Sequence, residues 1–204
     1  IFYEYYSGSE GIGMTHADPD QWLKFPGTVG KPLMGIIHIC DDQGQQVPPG
    51  EIGKIYFESD HEFNYHNDNK KREKVKHSHH SSWSSFGDIG YVNEEGYLFL
   101  TDRESFMIIS GGVNIYPQEV ENLLSMHEDV EDVAVIGIPD EDMGEQVKAY
   151  IKLSQNAEIR TNQAEYFIEY TRSNLAHYKC PKSIDFVDNL PRSDAGKLVK
   201  RYLK

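Results

Sequence analysis

The stretch Thr101-Asp102-Arg103-Glu104-Ser105-Phe106 followed by MIISGGVNIYPQEVE, residues 107–121, decides the fold, because the texture of the chain changes across it. Met107-Ile108-Ile109 is apolar and strand-sized, and it runs into Ser110-Gly111-Gly112. Pro117 suits a first helical position, where its missing N–H costs nothing. Glu119 and Glu121 suit the first turn, where the helix dipole favours anions. Val120, Leu123 and Leu124 then supply a buried stripe. Working outward toward the C-terminus, strands are expected over 130–138 and 146–153, with a turn over 139–144 between them. Ala164, Phe167, Ile168 and Leu175 are spaced as in a helix over 162–175. Ile184-Asp185-Phe186-Val187 reads as a last strand and Gly196 to Leu203 as a terminal helix. Strands and helices in this order predict an α+β unit of about 100 residues, enough for a small core of its own.

Working outward toward the N-terminus, residues 1–60 read as strands and turns. Ile36-Ile37-His38-Ile39-Cys40 and Gly53-Lys54-Ile55-Tyr56-Phe57 are the strands, and Asp41-Asp42-Gln43-Gly44 and Val47-Pro48-Pro49-Gly50 are the turns. Phe86 to Val92 and Tyr97 to Leu100 flank Asn93-Glu94-Glu95-Gly96 and predict a hairpin. The chain opens Ile1-Phe2-Tyr3-Glu4-Tyr5-Tyr6, with neither Met nor a basic stretch before an apolar core. A strand already under way is expected there, in a chain cut from a longer one, and not a signal peptide. Residues 61–82 carry His61, His66, His77, His79 and His80 among lysines and almost no apolar residues. They read as a solvated helix or loop; a histidine metal site is the sharper alternative, but the HSHH spacing fits no ligand pattern with a fixed second pair.

Composition narrows the function. The chain has 204 residues, 33 Asp+Glu against 20 Lys+Arg and a net charge of -13, a balance that repels nucleic-acid backbones and anionic lipid. No run of about 18 apolar residues is present, so no transmembrane helix is expected. The two cysteines, Cys40 and Cys180, form no CxxC pair and support neither a disulfide framework nor a zinc site. A reducing cytoplasm is the expected compartment.

Four places carry chemistry. In Tyr6-Ser7-Gly8-Ser9-Glu10-Gly11, a hydroxyl and a carboxylate follow a strand among glycines that allow close backbone approach. A carboxylate beside a phosphate needs a cation between them, usually Mg²⁺; the plainer reading is a strand-to-loop turn. In Phe86-Gly87-Asp88, a carboxylate at a strand end can accept from two vicinal ribose hydroxyls; the plainer reading is a turn Asp. Arg103 and the Gly111-Gly112 loop suit a polyanion, or else a tight hairpin. Lys197, in Leu190-Pro191-Arg192-Ser193-Asp194-Ala195-Gly196-Lys197, reads as a surface lysine or as a point charge able to reach a phosphoryl oxyanion.

The order of these segments is more specific than any one of them. YYSGSEG, GEIGKIYF, FGDIGYVNEEGYLFLTDR, MIISGGVNIYPQEVE and LPRSDAGKLVKR together resemble the back half of the adenylate-forming (AMP-binding) superfamily, bacterial acyl-CoA synthetases in particular. The resemblance runs from Phe2 to Lys204. It implies residues 1–102 as the strand-rich, barrel-like end of a large AMP-binding domain and 103–204 as a small mobile α+β C-terminal domain. It implies an ATP-dependent acid–CoA ligase, with a fatty acid favoured over aryl, bile or carnitine-like acids. In such enzymes Tyr6 packs on adenine, Ser9 bonds phosphate and Glu10 ligates Mg²⁺. Asp88 binds the ribose hydroxyls of ATP or AMP, and Arg103 contacts the ribose. Lys197 reaches the carboxylate and α-phosphate, and Ser110-Gly111-Gly112 lines the path of the CoA pantetheine. Ser7 stands where the family has Gly, Ser9 where it has Thr, and Ser105 where a hinge Asp or Lys is common. The family's phosphate loop and most of its acyl pocket lie ahead of Tyr6, so these residues alone are expected to be inactive. The alternative is a non-catalytic nucleotide-binding or interaction module. Apolar surface on residues 1–30, at Phe2, Tyr5 and Trp22, predicts self-association or a covering partner chain.

Overall fold

The computed structural model describes residues 2–61 and 75–203. They are mixed α and β and divide into two compact units, Ile1–Ser105 and Phe106–Lys204.

The first unit is built on one antiparallel sheet. Its strands are β1 (Glu4–Ser7), β2 (Met14–Ala17), β3 (Thr28–Met34), β4 (Ile36–Cys40), β5 (Gly53–Glu58), β6 (Trp83–Ser84), β7 (Asp88–Val92) and β8 (Leu98–Arg103). They lie in the order β1-β2-β3-β8-β7-β5-β4, with β6 paired to β5. Ile12, Val29, Ile39, Ile55, Phe57 and Leu98 fill one side, and Tyr6 and Phe86 pack against them. Phe2 and Tyr5 are exposed, whereas Trp22 is half-buried. The first strand starts at Glu4 rather than at the chain end.

Two expectations for this unit are corrected. Residues 1–60 are not only strands and turns, because α1 (Pro19–Lys24) forms a short helix. Asp18 accepts from the Gln21 N–H at 2.8 Å while the Gln21 side chain accepts from the Asp18 N–H at 3.0 Å, a reciprocal capping box with Pro19 behind it. The histidine-rich stretch is not uniformly solvated either. His66 and the rest of 62–74 lie outside the described residues, but His77 is 5% exposed. Its Nε2 bonds the Gly44 carbonyl at 3.0 Å, and its Nδ1 accepts the N–H groups of His79 and His80 at 3.1 and 3.2 Å. An acceptor at Nδ1 and a carbonyl at Nε2 require the neutral ring with its proton on Nε2.

Burial pushes the His77 pKa down from its ordinary value, against the smaller upward pull of the Gly44 carbonyl. The unfolded chain therefore binds a proton at His77 where the folded chain does not. Stability contributed by the neutral ring is present above the unfolded value of about 6.5 and is lost as pH falls through it. Melting temperatures at pH 7.5 and 5.5 should show this loss, and His77→Asn should flatten the difference. An unchanged difference in the variant would remove His77 as its cause.

The second unit holds β9 (Ile108–Ser110), β10 (Val113–Ile115), α2 (Pro117–Ser125), β11 (Val130–Asp140), β12 (Gly144–Leu153), α3 (Gln163–Asn174) and β13 (Ser183–Phe186). Its sheet runs β10-β9-β12-β11, with β13 added parallel to β12. The parallel pair needs a crossover, and α3 supplies it. Val120 and Leu124 of α2, Phe167 of α3, and Ile108, Val135, Val147 and Ile151 of the sheet close the core.

The expected terminal helix over 196–203 does not form. Gly196 has φ of +77°, off the helical path, and Arg192 bridges Leu198 as in a small hairpin. Only Lys200–Tyr202 makes a turn of 3-10 helix.

Candidate functional site

Three strands of the first unit bring Tyr6, Asp88 and Arg103 together. Asp88 opens β7 and Arg103 closes β8, and the antiparallel register sets them opposite each other. The Arg103 Nε lies 3.2 Å from Asp88 Oδ1. Tyr6, on edge strand β1, donates its hydroxyl to Asp88 Oδ2 at 2.7 Å. Asp88 is 6% exposed, while the Arg103 side chain is 61% exposed. The carboxylate is thus recessed and the guanidinium reaches outward. Burial holds the Tyr6 phenol far above its usual pKa, and the Asp88 charge adds to the effect. It therefore remains a neutral donor throughout the physiological range.

The backbone around Asp88 is fixed from both sides. Ser85 Oγ accepts the Gly87 N–H at 2.9 Å, and the Gly87 carbonyl accepts the Glu104 N–H at 3.0 Å. The Phe86 ring stands edge-on to Tyr6, centroids 5.6 Å apart. Gly8 is required here by close approach. A Cβ on it would sit 2.5 Å from the Phe86 ring and 2.6 Å from Glu10 Oε2. Its absence lets the Ser9-Glu10 loop settle against the segment that leads into Asp88. The loop closes through the Gly11 N–H to the Gly8 carbonyl at 3.1 Å, and Ser9 Oγ lies 3.4 Å from Glu10 Oε2. The Glu10 charge also acts on the Tyr6 phenol, raising its pKa.

Ser9 and Glu10 offer hard oxygen donors of the kind Mg²⁺ takes, and so fit that ion. Among the described residues no group of three or more His, Cys, Asp or Glu could hold a metal.

The remaining candidates belong to the second unit. Ser110 ends β9, and Gly111-Gly112 is the turn of the β9–β10 hairpin, with φ of +58° at Gly111 and +79° at Gly112. The Gly111 N–H donates to the Met143 carbonyl at 2.8 Å. Lys197 is exposed, on a loop closed by the Ser193 N–H to the Lys197 carbonyl at 2.8 Å. Sequence reasoning missed Phe86, on which both Tyr6 and Gly8 rest. It also missed Lys200, three residues after Lys197 but 7% exposed.

Residues 119–197 match the family described as AMP-binding enzyme C-terminal domain. The chain is 37% identical over 203 residues to the uncharacterized acyl–CoA ligase YhfT of Bacillus subtilis, covering 99% of this chain and 39% of that protein. It is 36% identical over 203 residues to a long-chain-fatty-acid–CoA ligase of the same organism, covering 95% of this chain and 35% of that protein. Among solved structures, o-succinylbenzoate CoA synthetase (MenE) of Bacillus subtilis in complex with ATP and magnesium superposes with a TM-score of 0.83 at 33% identity. That match covers 98% of this chain and 41% of that one. The chain thus spans under half the length of these relatives.

Proposed function

Because this chain belongs to the AMP-binding, adenylate-forming enzymes, we propose that it is the nucleotide-gripping and lysine-bearing part of an ATP-dependent acid–CoA ligase. The observation that carries this reading is the convergence of Tyr6, Glu10, Asp88 and Arg103 in one unit. A carboxylate offers about four lone-pair positions. Tyr6 and Arg103 occupy one on each Asp88 oxygen. One on each remains for two neighbouring ribose hydroxyls, which is the demand a nucleotide makes.

On this reading the first unit, Ile1–Ser105, ends a large AMP-binding domain and keeps Arg103 with Asp88, and the second, Phe106–Lys204, forms its small mobile partner. In the first half-reaction the acid carboxylate attacks the α-phosphate of ATP, and pyrophosphate leaves. Tyr6 orients the adenosine, and Ser9 donates to a phosphate oxygen. Glu10 would hold Mg²⁺, which would supply positive charge beside the phosphates. Lys197 supplies positive charge at the acid and the α-phosphate. In the second, the CoA thiol displaces AMP, and Ser110-Gly111-Gly112 borders its pantetheine arm without side chains in the way. Likeness to a long-chain-fatty-acid–CoA ligase supports a fatty acid as the acid. The free thiols of Cys40 and Cys180 fit a cytoplasmic setting.

The phosphate loop must come from sequence other than these residues. Fatty-acid-dependent exchange of pyrophosphate into ATP is therefore expected from a polypeptide joining them to such a loop, and none from the 204 residues alone. Exchange that does not depend on a fatty acid would remove the proposed substrate. Exchange by the 204 residues at the rate of the longer polypeptide would remove the need for the loop.

A further inference from the structure

Three residues beyond Lys197, the structure holds a buried ion pair to which the proposed chemistry assigns no role. Lys200 Nζ lies 2.7 Å from Glu121 Oε1, with the two side chains 7% and 9% exposed. Glu121, on α2, uses the same oxygen to accept the Val135 N–H of β11 at 2.6 Å. The Lys200 ammonium also sits over the Phe106 ring, 4.8 Å from its centroid. Phe106 is the first residue of the second unit and directly follows Ser105. The Lys200 side chain therefore joins the final turn to α2 and to the first residue of its unit, and Glu121 extends the link to β11.

The loop that carries Lys197 is pinned at its other end too. Arg192 pairs with Asp132 of β11 and donates to the Gly196 carbonyl at 2.8 Å. The Val199 N–H donates to the Pro191 carbonyl at 2.9 Å. Between these anchors Lys197 stands exposed. Three residues of chain reach at most about 10 Å, so a displacement of Lys200 is passed on to Lys197.

Burying two charges is costly, and a well-packed apolar pair of similar volume is often as stable or more so. What an apolar pair lacks is direction. The Glu121 carboxylate accepts from both Lys200 and Val135 along defined lines, and so ties the last turn to α2 and β11. We propose that Glu121 and Lys200 are positioning residues that set the reach of Lys197 toward the reacting phosphate. The proposal rests on the ligase reading above.

The test uses the complete polypeptide, with the phosphate loop supplied. Misplacement of a catalytic group by about 1 Å can cost on the order of 100-fold. Lys200→Met and Glu121→Gln should therefore lower kcat for adenylation by roughly 10–100-fold while KM for ATP changes little. Lys200→Arg should recover most of the rate. The double variant Glu121→Gln/Lys200→Met, with no unpaired buried charge and an amide oxygen still able to accept the Val135 N–H, should fold like the parent by melting temperature and remain slow. A double variant that folds and regains the parental kcat would overturn the proposal, since packing alone would then suffice. Lys197→Ala is measured alongside. If it is inactive while Lys200→Met is fully active, the positioning role fails and the ligase reading survives. If Lys197→Ala is fully active, the assignment of Lys197 itself fails, and the positioning role with it.

Discussion

Lys197→Ala is expected to reduce adenylation by about 10²–10³-fold, the loss typical of removing one preorganised donor from a developing oxyanion. Thioester formation from supplied acyl-adenylate should fall far less. The two half-reactions differ in where charge accumulates. In the first, negative charge builds on the α-phosphoryl oxygens as pyrophosphate leaves, and a mobile ammonium can meet it. In the second, the phosphate departs as AMP from a carbonyl already activated, and the thiol approaches along a glycine-bordered path. Because Lys197 is exposed, its truncation leaves no buried group unpaired. Folding stability should change by no more than about 0.5 kcal/mol, so lost rate is not lost protein. Lys197→Arg keeps the charge but replaces a compact ammonium with a broad planar fork, and only partial recovery is expected. Stopped-flow release of pyrophosphate and single-turnover thioester formation read the two steps separately. Equal loss in both would show that Lys197 serves no step in particular.

The C-terminal unit was legible because its signals are local. Pro117, the apolar stripe of α2 and the apolar run over 133–138 each announce an element within a few residues, and all form. The signals for α1 were local as well, since Asp18-Pro19-Asp20-Gln21 is an N-cap followed by a first-turn proline. Six residues flanked by strands were simply too short for periodicity to register. The terminal helix failed for the opposite reason. Residues 196–203 have a helix-like pattern, but a positive φ at Gly196 and the Arg192–Leu198 bridge take the backbone elsewhere. Contacts distant in sequence could not be read at all. Nothing local in Tyr6 or Asp88 says that they share a hydrogen bond across 82 residues. The motif around Gly196 singled out Lys197, but nothing in the letters showed that Lys200 is the buried, anchoring amine. His77 is the same case, since a histidine in a polar run is buried by what Gly44, Tyr56 and Trp83 bring to it.

Asp88→Asn should have the second largest effect, a loss of affinity for a non-hydrolysable acyl-adenylate on the order of 10–100-fold, as hydrogen bonds to a charged group are each worth about 1.5–3 kcal/mol. The substitution keeps the shape and changes the inventory. Aspartate presents acceptors on both oxygens, and two donors already point at them, the Tyr6 hydroxyl and the Arg103 Nε–H. Asparagine offers one acceptor oxygen and one amide nitrogen that only donates. If its oxygen faces Tyr6, the amide faces Arg103, donor against donor. If it faces Arg103, the Tyr6 hydroxyl meets an amide and must turn away. In neither orientation can two ribose hydroxyls donate to both arms of the side chain. Tyr6→Phe should cost less, because it removes one donor and leaves the Asp88 charge and its Arg103 partner in place. Calorimetric titration of parent, Asp88→Asn and Tyr6→Phe in the complete polypeptide gives the ranking. Affinity unchanged in Asp88→Asn would mean that the carboxylate braces β1 against β7 and β8 without touching the nucleotide, and the ribose role would have to be abandoned.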